Sequence, residues 1–179
     1  MDAIKALEER KSARSYLQKE VEEDKLATII AAGKHAPNAG SFQISVITNQ
    51  AVLTEINDIS LEAMKSSGND FLVQRASIPG YRPLYGAPVL LMLSSPENGF
   101  AQANTSCAAT CMTVAATALG LGSCYVVTPT FALNGKNELA KKVGILDGNT
   151  SMCGVLIGYE AKSSIPSAER PEIEVNYVK

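Results

Sequence analysis

The sequence contains only one histidine, His35, among its 179 residues. A hydrolytic triad needs an imidazole that takes a proton from a nucleophile, and no serine stands in the Gly-x-Ser-x-Gly arrangement of a nucleophile elbow. His35 follows a predicted helix, where an imidazole interacts favourably with the helix dipole. We also find no pair of carboxylates suited to acid–base catalysis. The sequence therefore argues against a hydrolase.

Cysteines are few, and no two of them form a CxxC motif: they are Cys107, Cys111, Cys124 and Cys153. Cys107 and Cys111 lie four residues apart in a helical pattern, so their side chains share one face. A metal site needs more ligands than this spacing supplies, and we predict none. We interpret the cysteines as small residues in tightly packed, buried positions.

The chain also lacks an excess of charge and any long apolar run. Its formal net charge is −2, and its basic residues are dispersed, which excludes the usual basic surface of a nucleic-acid-binding protein. The apolar windows at 87–93 and 114–121 are too short or too interrupted to cross a membrane. The first residues open an amphipathic helix rather than a signal peptide. We therefore predict a cytoplasmic protein without a membrane or nucleic-acid partner.

Hydrophobic periodicity predicts an alternation of helices and strands without internal repeats or a linker, so we expect one α+β domain over residues 1–179. Residues 68–85 are irregular, and so long an irregular stretch is often functional. Residues 165–179 are predicted as an extended arm. The predicted helices are 3–10, 21–36, 50–66, 101–119 and 131–143, and the predicted strands are 43–48, 88–94, 123–128 and 151–159.

Two segments are expected to need a partner. The helix 101–119 is almost uncharged, and a helix without a polar face must be buried, either centrally or against a second subunit. In the arm, Ile173, Val175 and Tyr177 alternate with polar residues, which is typical of a strand with one buried face. A single strand cannot satisfy its own backbone groups, so the arm is predicted to pair with a sheet edge.

The segment 9–16 carries the strongest chemical signal. In an extended backbone Arg10, Ser12 and Arg14 would point to one face. Two guanidinium groups with a hydroxyl between them suit a phosphate dianion. The alternative is a solvated basic turn after a surface helix, which is the usual meaning of a short run of charge.

Read in chain order, several segments resemble one family. Residues 10–16, Arg-Lys-Ser-Ala-Arg-Ser-Tyr, are similar to the Arg-Arg-Ser-x-Arg-x-Phe signature of the FMN-dependent nitroreductase family. Residues 36–43, Ala-Pro-Asn-Ala-Gly-Ser-Phe-Gln, resemble its Ala-Pro-Ser-x-x-Asn-x-Gln loop. Each likeness is weak alone, but the ordered set extends over nearly the whole chain, which looks like a short member. The other matching segments are 85–91, 118–125, 154–159 and 170–171.

The resemblance implies a nitroreductase-like mixed sheet surrounded by helices, with exchange of the C-terminal strand in an intertwined homodimer. It also implies two FMN sites at the dimer interface. Arg10, Ser12 and Arg170 would hold the FMN phosphate, Lys11 belongs to the same signature, and Arg14 would lie near the pyrimidine edge of the ring. The residues expected over the ring from the second subunit are Pro37, Asn38, Ala39 and Ser41, and the backbone amides expected near flavin N5 are those of Val127 and Thr128.

By resemblance, the function is an FMN-dependent oxidoreductase that uses electrons from NAD(P)H to reduce a nitroaromatic, quinone or flavin acceptor. The flavin carries the chemistry, so no catalytic side chain is assigned. Ser41 replaces the family asparagine, Val127-Thr128 replaces Glu-Gly, and Ala168 and Glu169 precede Arg170 where relatives often carry a further basic residue. These departures favour the alternative of a flavin-binding storage or sensor protein with little turnover. A third reading is an α+β dimer without a cofactor.

Overall fold

The computed structural model describes residues 2–135, 137–162 and 172–179. Its elements follow the predicted order closely. The helices are α1 Ala3–Glu9, α2 Glu23–Lys34, α3 Gln50–Lys65, α4 Asp70–Ala76, α5 Ala101–Ala118, α6 Pro129–Asn134 and α7 Asn137–Lys142. The strands are β1 Gln43–Ile47, β2 Val89–Pro96, β3 Gly122–Val126 and β4 Asn149–Gly158.

The four strands form one sheet in the order β1-β2-β4-β3, and all neighbouring strands are antiparallel. The central strand β2 is buried from Val89 to Ser95, because helices cover both of its faces. A continuous apolar run rather than an alternating one is the pattern of such a strand. A parallel contact is added at the β3 edge by the bridge between Ser12 and Ser123. The α+β fold with helices around the sheet is confirmed.

Alternate residues of the central strands serve two separate cores. Leu91, Leu93 and Val155 pack with α2 and α5 on one face, whereas Leu90 and Leu156 pack with α3, α6 and α7 on the other. On the first face, a Cβ at position 33 of α2 would overlap the side chain of Met112 on α5. Gly33 therefore leaves room for the Met112 side chain between the two helices.

The structure differs from the predictions at three places. The segment predicted as irregular contains α4, whose N-terminus is capped by the Asn69 side chain accepting from the Leu72 amide at 3.2 Å. The predicted helix 131–143 is two helices, and the first begins at Pro129 because proline suits the first turn. As a result β3 ends at Val126, before the two residues that the prediction included in the strand.

The cysteines divide into two groups. Cys124 and Cys153 lie on strands and are buried, as interpreted from the sequence. Cys107 and Cys111 lie on α5 and are only half-buried, because they belong to the face of that helix that points away from the sheet.

The two edges of the sheet differ. The β3 edge is bordered by the N-terminal segment, where the Ala13 amide donates to the Ser123 carbonyl at 2.8 Å. At the β1 edge no strand is paired within the described residues, and Val46 is 45% exposed there. The described part of the arm, residues 172–179, forms no helix or strand, and all of its side chains are exposed.

Candidate functional site

The segment that follows α1 is extended and anchored to the sheet by its backbone. Arg10 ends the helix with a ψ of 122°, so the chain leaves α1 and passes the start of β3. Three backbone hydrogen bonds hold it there: Ala13 N–H to Ser123 O at 2.8 Å, Leu17 N–H to Tyr159 O at 2.9 Å and Ala161 N–H to Ser15 O at 2.9 Å. Within the segment Ala13 is buried and its neighbours Ser12 and Arg14 are half-exposed.

The groups that affect the pKa of the Cys124 thiol lie around this segment. Burial raises the pKa of Cys124, while a hydrogen bond with Ser12 and the positive charges of Arg14, Arg75 and Arg10 act in the opposite direction. Arg10, Ser12 and Arg14, which the sequence placed on one face, therefore all lie close enough to act on the same thiol. Two guanidinium groups and a hydroxyl on one segment suit an anion, while Arg75 reaches this region from a different element.

Arg75 is the residue that sequence reasoning missed. It lies on α4, and its Nη2 donates to the Tyr85 hydroxyl at 3.0 Å. Its guanidinium carbon lies 5.3 Å from the centre of the Tyr81 ring, a cation–π distance. In the sequence, only the length of the irregular stretch 68–85 indicated a functional segment. No local pattern in this stretch predicts that Arg75 lies near the start of β3.

Lys11 points away from this cluster of cations. Its Nζ forms an ion pair with Glu160 at 2.9 Å, and its side chain is 68% exposed. This ion pair holds Lys11 beside the end of β4, and the carboxylate of Glu160 partly neutralises the charge of Lys11.

The loop that contains Pro37, Asn38, Ala39 and Ser41 is exposed but firmly anchored. Asn104 on α5 accepts from the Ala39 amide at 2.9 Å and donates to the Ala39 carbonyl at 3.2 Å. The Asn38 side chain donates to the Ala36 carbonyl at 3.1 Å, and the Ser41 carbonyl accepts from the Ser95 hydroxyl at 3.1 Å. The loop therefore has a defined shape without contacting the cations at β3.

Within this chain, the loop and the cations are far apart. Ser123, which is bridged to Ser12, contacts the carbonyl of Thr113, whereas the loop contacts Asn104. Nine residues of helix separate these two positions on α5, which is about 14 Å along its axis. The sheet order also puts β1, which follows the loop, three strands away from β3. The fold of the single chain does not bring the two sets of predicted site residues together.

Val127 and Thr128 lie beyond the other end of β3 from Ser12. Val127 is exposed, and Thr128 adopts an ordinary helical backbone with φ −55° and ψ −33° before α6. The Thr128 hydroxyl is buried and has no hydrogen-bond partner among the described residues, and such an orphaned polar atom calls for an explanation. The last predicted site residue, Arg170, lies outside the described residues.

In the described ranges, no group of three or more His, Cys, Asp or Glu side chains could hold a metal ion. Among the helices described, none is long and apolar enough to cross a membrane.

Comparisons with known proteins agree with this architecture. The sequence pattern of the Nitroreductase family matches residues 7–159. A nitroreductase with bound FMN from Bacteroides fragilis NCTC 9343 is similar in structure, with 24% identity, full coverage of both chains and a TM-score of 0.85. A nitroreductase with bound FMN from Desulfitobacterium hafniense DCB-2 has 22% identity, full coverage of both chains and a TM-score of 0.89.

A third similar structure is the FMN-dependent nitroreductase of Clostridium difficile R20291, with 22% identity, 99% coverage of each chain and a TM-score of 0.77. A search of the curated proteins found no significant sequence match. At these identities, the likeness to the solved structures concerns the fold, whereas the family pattern spans most of the chain.

Proposed function

Because this chain belongs to the nitroreductase family, we propose that it is an FMN-dependent oxidoreductase that takes electrons from NAD(P)H and reduces a nitroaromatic, quinone or flavin acceptor. The observation that carries the proposal is the extended segment 10–14, which is held beside the start of β3 by the bridge between Ser12 and Ser123 and carries Arg10, Ser12 and Arg14 at alternate positions. A phosphate dianion needs such a set of charged and neutral donors.

The length of β3 supports a mononucleotide as the ligand. From Ser123, beside Ser12, to Val127 there are four residues of extended chain, which is about 13 Å. A phosphate held at Arg10 and Ser12, with Arg170 as a further ligand, would leave the ring of FMN near Val127 and Thr128. The orphaned hydroxyl of Thr128 is a donor or acceptor that a ring at this place could use, directly or through a water molecule.

FMN, when bound, supplies the hydride- and electron-transfer chemistry, and this chain supplies binding, orientation and charge. Arg14 would hold a positive charge near the pyrimidine edge, where negative charge accumulates on reduction. No side chain of the described residues is assigned as a general acid or base. Lys11, already paired with Glu160, would add to the positive potential around the phosphate rather than contact it.

The proposal includes a homodimer, since the loop 37–41 and the cations of one protomer lie too far apart to hold one ligand. In a dimer, Pro37, Asn38, Ala39 and Ser41 of one protomer would cover the flavin of the other. The outward face of α5, formed by Ala103, Cys107, Thr110 and Val114, supports such an interface because the whole helix carries no charged residue. Next to it on α1, Ile4 and Leu7 are exposed apolar side chains.

A second candidate is a flavin-binding storage or sensor protein with little turnover, which the replacement of Glu-Gly by Val127-Thr128 favours. The backbone of Thr128 weakens that argument, because its helical φ and ψ are adopted by threonine without strain. A glycine is not needed at this position in this chain. Support for the storage or sensor protein therefore comes only from Val127, which replaces the glutamate of the family.

An anaerobic titration tests the proposal. The purified protein should be yellow and contain one FMN per protomer, and NADH or NADPH should bleach the flavin absorbance. Addition of a nitroaromatic or a quinone should then restore it. A protein that holds FMN but is reduced no faster than free FMN would instead be the storage or sensor protein. A colourless protein that binds no added FMN would contradict both candidates.

A further inference from the structure

Helix α4 and the two tyrosines that follow it form a cluster that the proposed cofactor site does not use. Arg75 lies in the last turn of this helix, and Tyr81 and Tyr85 come from the turn segment that leads to β2. Their rings are 5.9 Å apart and almost perpendicular, at 83°, which is the favourable edge-to-face arrangement. Both rings contact the Arg75 side chain.

The tyrosines hold the guanidinium without neutralising it. Tyr85 accepts a hydrogen bond from Arg75 at 3.0 Å, and the Tyr81 ring lies beneath the cation at 5.3 Å. Burial raises the pKa of Tyr81 to about 12, so this phenol is uncharged at neutral pH. In the part of the chain that the structure describes, Arg75 forms no salt bridge, although six pairs involving lysine are present there.

A half-buried cation without a carboxylate is costly, because part of its hydration is lost and no counter-charge replaces it. A guanidinium has five N–H donors in a fixed fork, and the interactions with the hydroxyls of Tyr85 and Tyr81 occupy only part of them. The remaining donors match a carboxylate, which arginine binds through two parallel hydrogen bonds. The geometry of Arg75 is therefore that of a receptor for an anion.

The backbone of Tyr85 shows that this arrangement is enforced. Tyr85 has a φ of 52°, the only positive φ of a non-glycine residue in the described chain. A left-handed conformation is strained for an aromatic residue and is kept where the surrounding structure demands it, often at functional sites. Here it holds the phenol against Arg75, while Gly86 with a φ of 72° continues the turn.

The surroundings of Arg75 indicate the chemistry of the anion. Phe71 lies one helical turn before Arg75 and is 66% exposed, and Ile78 shortly after the helix is 42% exposed. Exposed apolar side chains next to an unpaired cation fit a ligand with an apolar body and an acidic group. Tyr85, which accepts a hydrogen bond from Arg75, packs against the core cluster that contains Ala13 and Cys124, so Arg75 borders the proposed flavin site from the side of α4.

We propose that Arg75, oriented by Tyr81 and Tyr85, binds the carboxylate of the electron acceptor, so that the acceptors of this protein are aromatic compounds with an acidic group. The inference rests on the proposed function, since it names the acceptor class of that same site. Arg10, Ser12 and Arg14 come from another segment and serve the flavin, whereas Arg75 serves the acceptor. Arg75 is thus a specificity determinant and Tyr85 a positioning residue.

The test compares 4-nitrobenzoate with its neutral methyl ester as acceptors for the FMN-loaded protein. The wild type should have a higher kcat/KM for the acid. Arg75→Gln should lower kcat/KM for the acid by about tenfold or more, as expected from the loss of a hydrogen bond to a charged group, and leave the value for the ester unchanged. Arg75→Lys should retain part of the preference, and Tyr85→Phe should reduce it without removing it. Arg82→Gln is the matched control, because Arg82 is exposed and lies in the same segment.

Binding is measured independently of turnover by the change in oxidised flavin absorbance on titration with 4-nitrobenzoate and the ester. An equal effect of Arg75→Gln on acid and ester would make Arg75 a structural residue and overturn the inference. A loss of FMN affinity with unchanged acid preference would assign Arg75 to the flavin site and overturn it too. If the flavin were bound but not reduced by NAD(P)H, the proposed function would fail, while this titration would still decide the role of Arg75. A protein that binds no flavin would refute both.

Discussion

Asn104 and Ala39 are joined by a reciprocal pair of hydrogen bonds: the amide oxygen of Asn104 accepts from the Ala39 N–H at 2.9 Å, and its amide nitrogen donates to the Ala39 carbonyl at 3.2 Å. Asn104 is itself buried at the start of α5. The polar side chain of Asn104 on the uncharged helix α5 thus sets the position of the loop 37–41. In the proposed dimer, this loop would cover a flavin.

Replacement of Asn104 by alanine should loosen this loop. Two hydrogen bonds are lost, but the backbone groups of the exposed Ala39 can bind water instead, so the free energy of unfolding should fall by only about 1–2 kcal/mol. FMN should be released faster. The control is Asn98→Ala, because the Asn98 side chain accepts from the Phe100 amide at 2.9 Å and does not contact the loop. Urea unfolding and flavin release would be measured, and unchanged release from Asn104→Ala would mean that the loop does not cover FMN.

Arg10 and Lys11 are adjacent cations with different expected roles. Arg10→Ala should weaken FMN binding by about 1.5–3 kcal/mol, the scale of a hydrogen bond to a charged group. Riboflavin, which lacks the phosphate, should lose little affinity. Lys11→Ala removes one charge as well but breaks only the exposed pair with Glu160, and such pairs contribute little. Fluorescence titration of the apoprotein with both flavins checks this, and equal losses for FMN and riboflavin in Arg10→Ala would remove Arg10 from the phosphate site.

The parts of the structure that could be predicted from the sequence are those that depend on local pattern. The apolar run at 88–94 predicted a central strand, which is observed as Val89–Pro96, and the uncharged helix α5 was predicted within one residue of its observed ends. The alternation of Arg10, Ser12 and Arg14 predicts one shared face, and the bridge between Ser12 and Ser123 places this segment beside β3; the shared face itself stays a prediction.

What could not be predicted depends on contacts between distant segments. Arg75 and Tyr85 are ten residues apart in a stretch of turns, so neither helical nor strand periodicity relates them. The division between α6 and α7 follows from the early start at Pro129 and the end near Gly135. The position of the loop depends on Asn104, 65 residues later in the chain, and no sequence pattern links the two.

The two faces of α5 allow the dimer interface to be tested without unfolding the protomer. Thr110 is exposed at the middle of the outward face, whereas the adjacent Ala109 is buried against the sheet. Thr110→Glu should therefore give folded monomers that lose FMN, because it places a charge in the proposed interface. Ala109→Glu, or the same change at the buried Ala116, should instead unfold the protomer. Sedimentation and circular dichroism distinguish these results, and a dimeric Thr110→Glu protein with bound FMN would place the interface elsewhere.

The end of β4 should contribute an acid-sensitive contact. The hydrogen bond from Tyr159, 2.7 Å from both carboxylate oxygens, is the main reason that the pKa of Glu22 is lowered from its ordinary value of 4.5 to about 2. Because the pKa of Glu22 is lower in the folded than in the unfolded state, the ionised carboxylate stabilises the folded state above pH 4.5. This contribution to the free energy of unfolding is lost as the pH falls from 4.5 to 2. Melting temperatures across this range should therefore decrease less for Glu22→Gln than for the wild type. Parallel curves for the two proteins would exclude the contact as a source of acid sensitivity.

The arm should bind at the β1 edge of the partner. The β3 edge is already bordered by Ser12 and Ala13, so β1 is the edge without a neighbour within the described residues. Beside β1 lies a cavity of about 610 Å³ that can receive apolar side chains. Its apolar lining comprises Val21, Leu26, Val46, Pro88 and Val89.

In the arm Ile173, Val175 and Tyr177 are between 68% and 81% exposed, which is unusual for three large apolar side chains so close together. Deletion of residues 172–179 should therefore weaken the dimer, and the flavin should be lost with it. Val46→Lys should have the same effect from the receiving side, because a charge in the cavity opposes burial of the arm. Arg170→Ala, in contrast, should stay dimeric and lose only FMN affinity, since it removes a charge and leaves the alternating segment intact. Sedimentation and FMN titration of the three variants separate these outcomes, and a deletion variant that remains dimeric and binds FMN normally would show that the arm has no role in assembly.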